Sequence, residues 1–291
     1  MKLLAVVIIV FILVFLNGCI INKNVSFSGS YSDSEKYSVG PFEKEGLENV
    51  NLSVNWISGN VIIRKGNNNK FEVYEETTET EDKYKMHYYD AGDTFYIQFC
   101  ASEKVVNHWF EKKDLVIVVP LEYSLENIDL SAVSANVEVK DLRLKTVEIN
   151  SVSGEVLTSS ISSDSLVIDN VSGKIILNST DVDTFKANNV SGSVNANDSN
   201  LNNIDVKTVS GNVNLSVANE AENFKLNTVS GNISLGLVET LGFTVTISKV
   251  SGDFSCDYPT TVTNKQYVYS TGDCPINIST VSGNVKINKL N

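Results

Sequence analysis

The chain has 291 residues, 42% of them hydrophobic and 9% aromatic, with a net charge of −12 and a pI near 4.7. That length accommodates one large or two modest domains. The acidity argues against nucleic acid or an anionic membrane surface as the main partner, because both repel a negative chain.

Residues 1–19 stand apart from any fold. Lys2 is followed by an unbroken apolar run, Leu3 to Leu16. A bilayer core of ~30 Å needs ~20 apolar residues, so this run is short for a span and suits a signal peptide. Leu16-Asn17-Gly18-Cys19 then resembles the prokaryotic lipobox. That resemblance implies lipidation of the Cys19 thiol, with Cys19 as the new N-terminus and the membrane as a partner through the lipid. The alternative is an uncleaved anchor that lengthens the span with Ile20 and Ile21. Both place the body of the protein outside the cytoplasm. Residues 20–48, rich in Ser, Asn and Gly and carrying Pro41, read as a tether spanning on the order of 28 Å.

Residues 50–127 read as an irregular β region. Leu52, Val54, Ile57-Ser58-Gly59, Val61 and Ile63 match the repeat that follows, so a first coil is expected here. Strands are expected around Phe71–Val73, Tyr84–Tyr88, Thr94–Phe99 and Leu115–Val119. Asp90-Ala91-Gly92-Asp93 is the turn of a hairpin, and Pro120 ends the last strand. Between Cys19 and residue 127 the chain holds eight of the eleven tyrosines and both tryptophans. They support two readings: a broad core that caps one end of the repeat, or an aromatic binding surface around His108, Trp109 and Phe110.

From 128 to 291 the chain repeats itself. Val-Ser-Gly occurs at residues 152, 171, 190, 209, 229, 250 and 281, after a degenerate Val133-Ser134-Ala135. A period near 20 residues marks a stacked-repeat architecture. Within one unit, Ile204 and Val206, then Val209, Val213 and Leu215, alternate with polar residues, as half-buried strands do. The change of parity predicts a corner near Lys207-Thr208. One unit cannot bury its apolar face alone, whereas stacked units can. The expected fold is all-β: a β-solenoid of stacked ~19-residue Val-Ser-Gly repeats with an N-terminal β cap region. Lys286 and Lys289, on the last strand, read as charges that block an outer edge.

A solenoid enzyme needs carboxylates stacked at one repeat position. The residue after each Ser-Gly runs Glu155, Lys174, Ser193, Asn212, Asn232, Asp253, Asn284, and the residue two before each Val is equally mixed. No catalytic residue is assigned. The Asp-rich motif of calcium-binding β-rolls is missing from the sequence, and the isolated acidic pair Asp181 and Asp183 reads as a solvated loop before it reads as a weak calcium site, so neither a metal site nor any cofactor is expected. Cys256 and Cys274 bracket an insertion, 254–275. In an exported protein that pattern predicts a disulfide, with Cys100 left as a buried thiol.

Three features resemble the toastrack family of adhesin-like prokaryotic envelope proteins: the opening unit around Ser58-Gly59-Asn60-Val61; the Val116-Ile117-Val118-Val119-Pro120 strand followed by Leu125-Glu126-Asn127-Ile128; and the tandem Val-Ser-Gly units. The resemblance covers roughly residues 50–290 and carries over no catalytic or ligand residue. It implies a membrane-tethered role in adhesion or in envelope-stress systems. The expected function is therefore a non-enzymatic binding or scaffold module with an envelope glycan or protein as partner. The alternatives are a sensor subunit working through a protein partner and a polysaccharide-acting enzyme.

Overall fold

The computed structural model describes residues 30–46, 50–104 and 113–290. Cys19 and the His108-Trp109-Phe110 group lie outside the described residues. Within them the chain is all-β, with single 3-10 turns at Ser34–Lys36 and Asp82–Tyr84. The first strands are β1 (Ser38–Val39), β2 (Phe42–Glu45), β3 (Asn51–Lys65), β4 (Lys70–Glu76), β5 (His87–Asp90), β6 (Thr94–Gln98) and β7 (Asp114–Val119). Then come β8 (Asn127–Lys140), β9 (Arg143–Ser153), β10 (Val156–Ser159), β11 (Ser162–Ser172), β12 (Ile175–Asn178), β13 (Asp181–Ser191) and β14 (Val194–Ser210). The order closes with β15 (Val213–Val217), β16 (Asn223–Ser230), β17 (Ile233–Leu237), β18 (Phe243–Ser251), β19 (Phe254–Cys256), β20 (Thr261–Thr263), β21 (Gln266–Tyr269), β22 (Cys274–Ser282) and β23 (Val285–Lys289).

Each coil is a long strand, a corner at the Ser-Gly pair and a short strand. Long strands pair in parallel at the repeat offset: Leu166 lies beside Val147 on one side and Phe185 on the other. Short strands do the same, Ile175 lying between Val156 and Val194. The two ladders face one another across a continuous interior in which Leu166, Ile168, Ile175 and Leu177 are fully buried. Each such side chain contributes about 1.5–3 kcal/mol by leaving water. β8 runs unbroken through its Ser134-Ala135 corner, and β14 through the Asp198-Ser199-Asn200 turn. Both strands therefore belong to both ladders, and β8, β9, β11, β13, β14, β12 and β10 close a ring of seven parallel strands. That closure was not part of the expected plain stack.

The corner explains the invariant glycine. A Cβ on Gly211 would stand 1.9 Å from the carbonyl oxygen of Gly192, and one on Gly192, at φ 126°, would stand 2.1 Å from that of Gly173. The glycines form a column in which each backbone rests on the next. The parity expectation fails at this point. Alternation continues past Val206, so Thr208 is buried and Val209 only half-buried. The bend falls at Ser210-Gly211-Asn212, because the close approach needs the glycine itself to turn. Inside the bend sit Ser151, Asn170, Asn189, Thr208, Thr228 and Thr280, all buried. Asn170 and Asn189 donate Nδ2 hydrogen bonds to the carbonyls of Gly154 (3.1 Å) and Gly173 (2.9 Å).

Spatial order departs from chain order at both ends. β3 pairs with β8, with Leu52 beside Ile128, as the repeat template predicts. β6 and β7 then form a further coil on the outer side of β3. β5 and β4 pair antiparallel onto that coil, and β1 and β2 onto them. At the other end β22 and β23 lie between β16–β17 and β18–β19. The expectation that Lys286 and Lys289 occupy an edge strand is thus wrong: β23 is held on both sides. The long step between the last two repeat words is the excursion that lays down β18 and β19 first and returns to fill the gap.

The expected disulfide is likewise absent, since Cys256 and Cys274 are both free thiols. Cys274 opens the long strand β22 beside Phe243, while Cys256 sits in the short strand β19 beside Ile287, so they belong to different ladders. The insertion is secured by rings instead. Phe243, Tyr258 and Tyr269 pack at centroid distances of 4.6–5.3 Å, and the Tyr258 hydroxyl donates to the Leu237 carbonyl at 2.6 Å.

Candidate functional site

Among the described residues the repeat surface carries a concave feature lined by polar side chains. Four successive coils turn into the next long strand through a residue with left-handed backbone: Asp141 (φ 57°), Ser160 (52°), Ser179 (47°) and Asp198 (46°). Short polar side chains tolerate that conformation better than most. The turns deliver Arg143, Ser162, Asp181 and Asn200 to one row, and Lys145, Asp164, Asp183 and Asn202 to the next. Together with Glu126 all of these but Asn200 line a groove of ≈ 510 Å³ that crosses successive coils.

The groove is basic towards β8 and acidic beyond it. Lys145 pairs with Glu126 at 2.8 Å, and Arg143 donates from Nε to Ser162 Oγ at 3.3 Å. Asn202 donates to Asp183 Oδ1 at 3.1 Å and accepts from Asn219 at 2.7 Å. Such a surface offers carboxylate acceptors, amide groups and a guanidinium to a polar ligand. Asp164, Asp181 and Asp183 are exposed. A general acid of the glycosidase type is instead held protonated by an apolar pocket. No group of three or more metal-ligating side chains occurs among the described residues. The Asp181-Asp183 pair noted in the sequence belongs to this groove. The row at Lys145, Asp164, Asp183 and Asn202 went unnoticed, although its 19-residue spacing was present in the sequence.

The aromatic residues divide into two sets. Phe42, Phe71, Tyr88 and Phe95 pack together at 4.8–6.1 Å, and Trp56 meets Phe99 edge-on at 4.9 Å. A second run lies on the surface. Tyr31, Tyr37, Tyr89 and Tyr96 follow one another at 4.6, 5.5 and 6.1 Å, each half-buried. Burial pushes the phenols of Tyr31 and Tyr37 up. These four tyrosines form an aromatic surface among the described residues. His87, which the sequence assigns to a strand, is half-buried with Nδ1 2.9 Å from the Lys85 carbonyl.

Beneath this surface lies a buried charge. The Lys113 ammonium meets Glu75 at 2.8 Å and the Tyr84 carbonyl at 2.8 Å, reaches the Phe99 carbonyl, and lies 4.1 Å from the Phe99 ring centroid. Burial pushes its pKa down, and Glu75 opposes that shift. Trp56 Nε1 donates to the Lys113 carbonyl at 3.0 Å. Cys100, nearby, is pushed up to about 11 by the same burial, which leaves it a thiol.

The chain is thus an all-β protein whose strands stack in parallel, with a polar groove crossing successive coils. The match is specific: the family model described as Toastrack DUF4097 covers residues 49–288, and the chain belongs to that family. Among solved structures it is similar to a "putative lipid binding protein" from Parabacteroides distasonis, at 17% identity and a TM-score of 0.50 over 87% of this chain and 96% of that one. It also matches a "putative cell adhesion protein" from Clostridium sporogenes, at 14% identity and a TM-score of 0.30 over 88% of this chain and 99% of that one. No curated protein matches.

Proposed function

We propose that the protein is a non-enzymatic binding module of the cell envelope, adhesin-like and lipid-anchored through Cys19, with its body outside the cytoplasm. On this reading the tether is the chain between Cys19 and the described N-terminal strands, shorter than the expected 20–48 because β1 and β2 pair onto β5 and β4, and the strands from β1 to β7 are the cap of a solenoid. The repeat groove takes the ligand, an envelope glycan or an exposed protein segment. The observation that carries the reading is the groove itself: polar side chains at one repeat position on successive coils give a rigid, extended surface. The test is a titration of the mature protein against envelopes from its own source, before and after protease treatment. Saturable binding that survives protease and falls tenfold or more in Asp164→Asn/Asp183→Asn supports a glycan ligand. Binding lost with protease treatment supports the sensor or scaffold version, in which a membrane protein is the partner. Binding indifferent to the groove variants ends the groove assignment.

A second reading, a polysaccharide-acting enzyme, draws on the presence of Asp164, Asp181 and Asp183 in one groove. It requires release of new reducing ends from envelope polysaccharide, and release equal to that of the Asp164→Asn/Asp183→Asn variant excludes it.

A further inference from the structure

The C-terminal end of the stack is unfinished. β21 pairs with β18 only over Phe243–Thr246. No strand among the described residues pairs with the outer side of Ile247–Ser251 or of Phe254–Cys256, whose inner sides lie on β22 and β23. The side chains here resemble those of an interior coil stripped of its neighbour. Ile278, Thr280, Val285 and Ile287 are at most 2% exposed in the coil beneath. Their counterparts Ile247, Phe254 and Cys256 are half-open, Lys249 is exposed, and Val250 is 54% exposed. An edge of this kind is a template for another strand.

We propose that this edge is a self-association surface whose occupant is a second copy of the same chain, joined about a two-fold axis through the Ser251-Gly252-Asp253 corner. The edge has two legs meeting at that corner, and a two-fold there lays β18 of each copy antiparallel along β19 of the other. The charges fit the operation. Lys249 and Asp253 stand two residues on either side of Ser251 and have opposite signs, so each lysine comes to face the other copy's aspartate. Lys249 now rests on its own Gly252 carbonyl at 2.6 Å, one residue from Asp253. Asp253 ends a row of side-chain acceptors: Asn212 Oδ1 takes the Asn232 N–H, Asn232 Oδ1 that of Asn284, and Asn284 Oδ1 that of Asp253, each at 2.9 Å. The next donor in that row belongs to another chain.

The opposite end of the stack does not compete, because the outer sides of β6 and β7 already carry β5 and β4. Association is therefore isologous and closes at two, with no filament. It places the two N-terminal ends at opposite extremes of a stack of double length. Combined with the N-terminal anchoring proposed above, on which this last step rests, the dimer joins two opposed membrane surfaces rather than neighbours in one.

The test uses the full chain in detergent. Sedimentation is expected to give a dimer. Lys249→Asp and Asp253→Lys should each weaken it tenfold or more, and the two together should restore it. A bis-maleimide should link Ser251→Cys across the axis but not Leu121→Cys, which lies near the other end. A wild type that stays monomeric to 100 µM, or a dimer indifferent to both charge reversals, overturns the proposal. The same chain reconstituted on two vesicle populations should cluster them, with the charge reversals abolishing clustering. A dimer in detergent that fails to cluster vesicles refutes the anchoring geometry and leaves the interface standing.

Discussion

At the N-terminal end the outermost coil, β6 with β7, lies under antiparallel β5 and β4, a cluster of rings and a buried ion pair. At the C-terminal end the outermost coil, β18 with β19, has β21 against its first four residues and the Tyr267 ring 4.5 Å from that of Phe254. Both coils pair in parallel onto the coil beneath them. What differs is the non-repeating sequence spent on covering them. A repeat supplies its own neighbours everywhere except at its ends, so the ends are where irregular sequence, and with it specificity, must be added.

The largest effect is expected where the covered end keeps a charge out of water. Lys113→Met leaves Glu75 buried without its partner and should cost about 3–5 kcal/mol in urea denaturation, most of it recovered in Lys113→Met/Glu75→Leu. The comparison sharpens at one repeat position. Ile278→Ala, in a coil with neighbours on both sides, should cost about 2–5 kcal/mol. Ile247→Ala, its half-covered counterpart, should cost roughly 1–2 kcal/mol. Equal losses would mean that the open edge is covered in solution.

Glycines separate packing from backbone freedom. Gly211→Ala drives a Cβ into the Gly192 carbonyl and should cost about 1–3 kcal/mol. Gly92→Ala, in the β5–β6 turn at φ 89° where an added Cβ would meet nothing within 4 Å, should cost about 1 kcal/mol from its backbone angle alone. The smallest change is expected at Thr228, whose buried hydroxyl has no hydrogen-bond partner. Thr228→Val should stay within about 1 kcal/mol of wild type, on the stabilising side.

The period, the parallel stack and the pairing of β3 with β8 were legible in the sequence, because a repeated apolar pattern has to meet itself. The corner lies at Ser210-Gly211-Asn212, later than the Lys207-Thr208 that hydrophobicity suggests. Val209 looked inward by hydrophobicity, whereas the strand's alternation and the close approach of Gly211 turn Thr208 in. The insertion of β22 between β16 and β18 was not legible, since every Val-Ser-Gly coil presents the same surfaces to either neighbour. Lys113 and Glu75 meet only through the antiparallel return of β4 onto β7, and no spacing in the chain marks that pair. The groove was half legible. Asp181 and Asp183 stood out, but their row appears only when residues are aligned from the turn between coils instead of from the Ser-Gly word.

Placing β23 between β17 and β19 has a mechanical consequence. A strand on the outside of a sheet can be unzipped, one hydrogen bond yielding after another under a small load. A load drawn along β23 from Lys289 finds a ladder on each side, Lys289 beside Leu237 and Ile287 beside Cys256. The strand leaves only by shearing both at once. Tension applied along β23 is therefore resisted by both ladders together, with the strand clamped like a tongue in a groove.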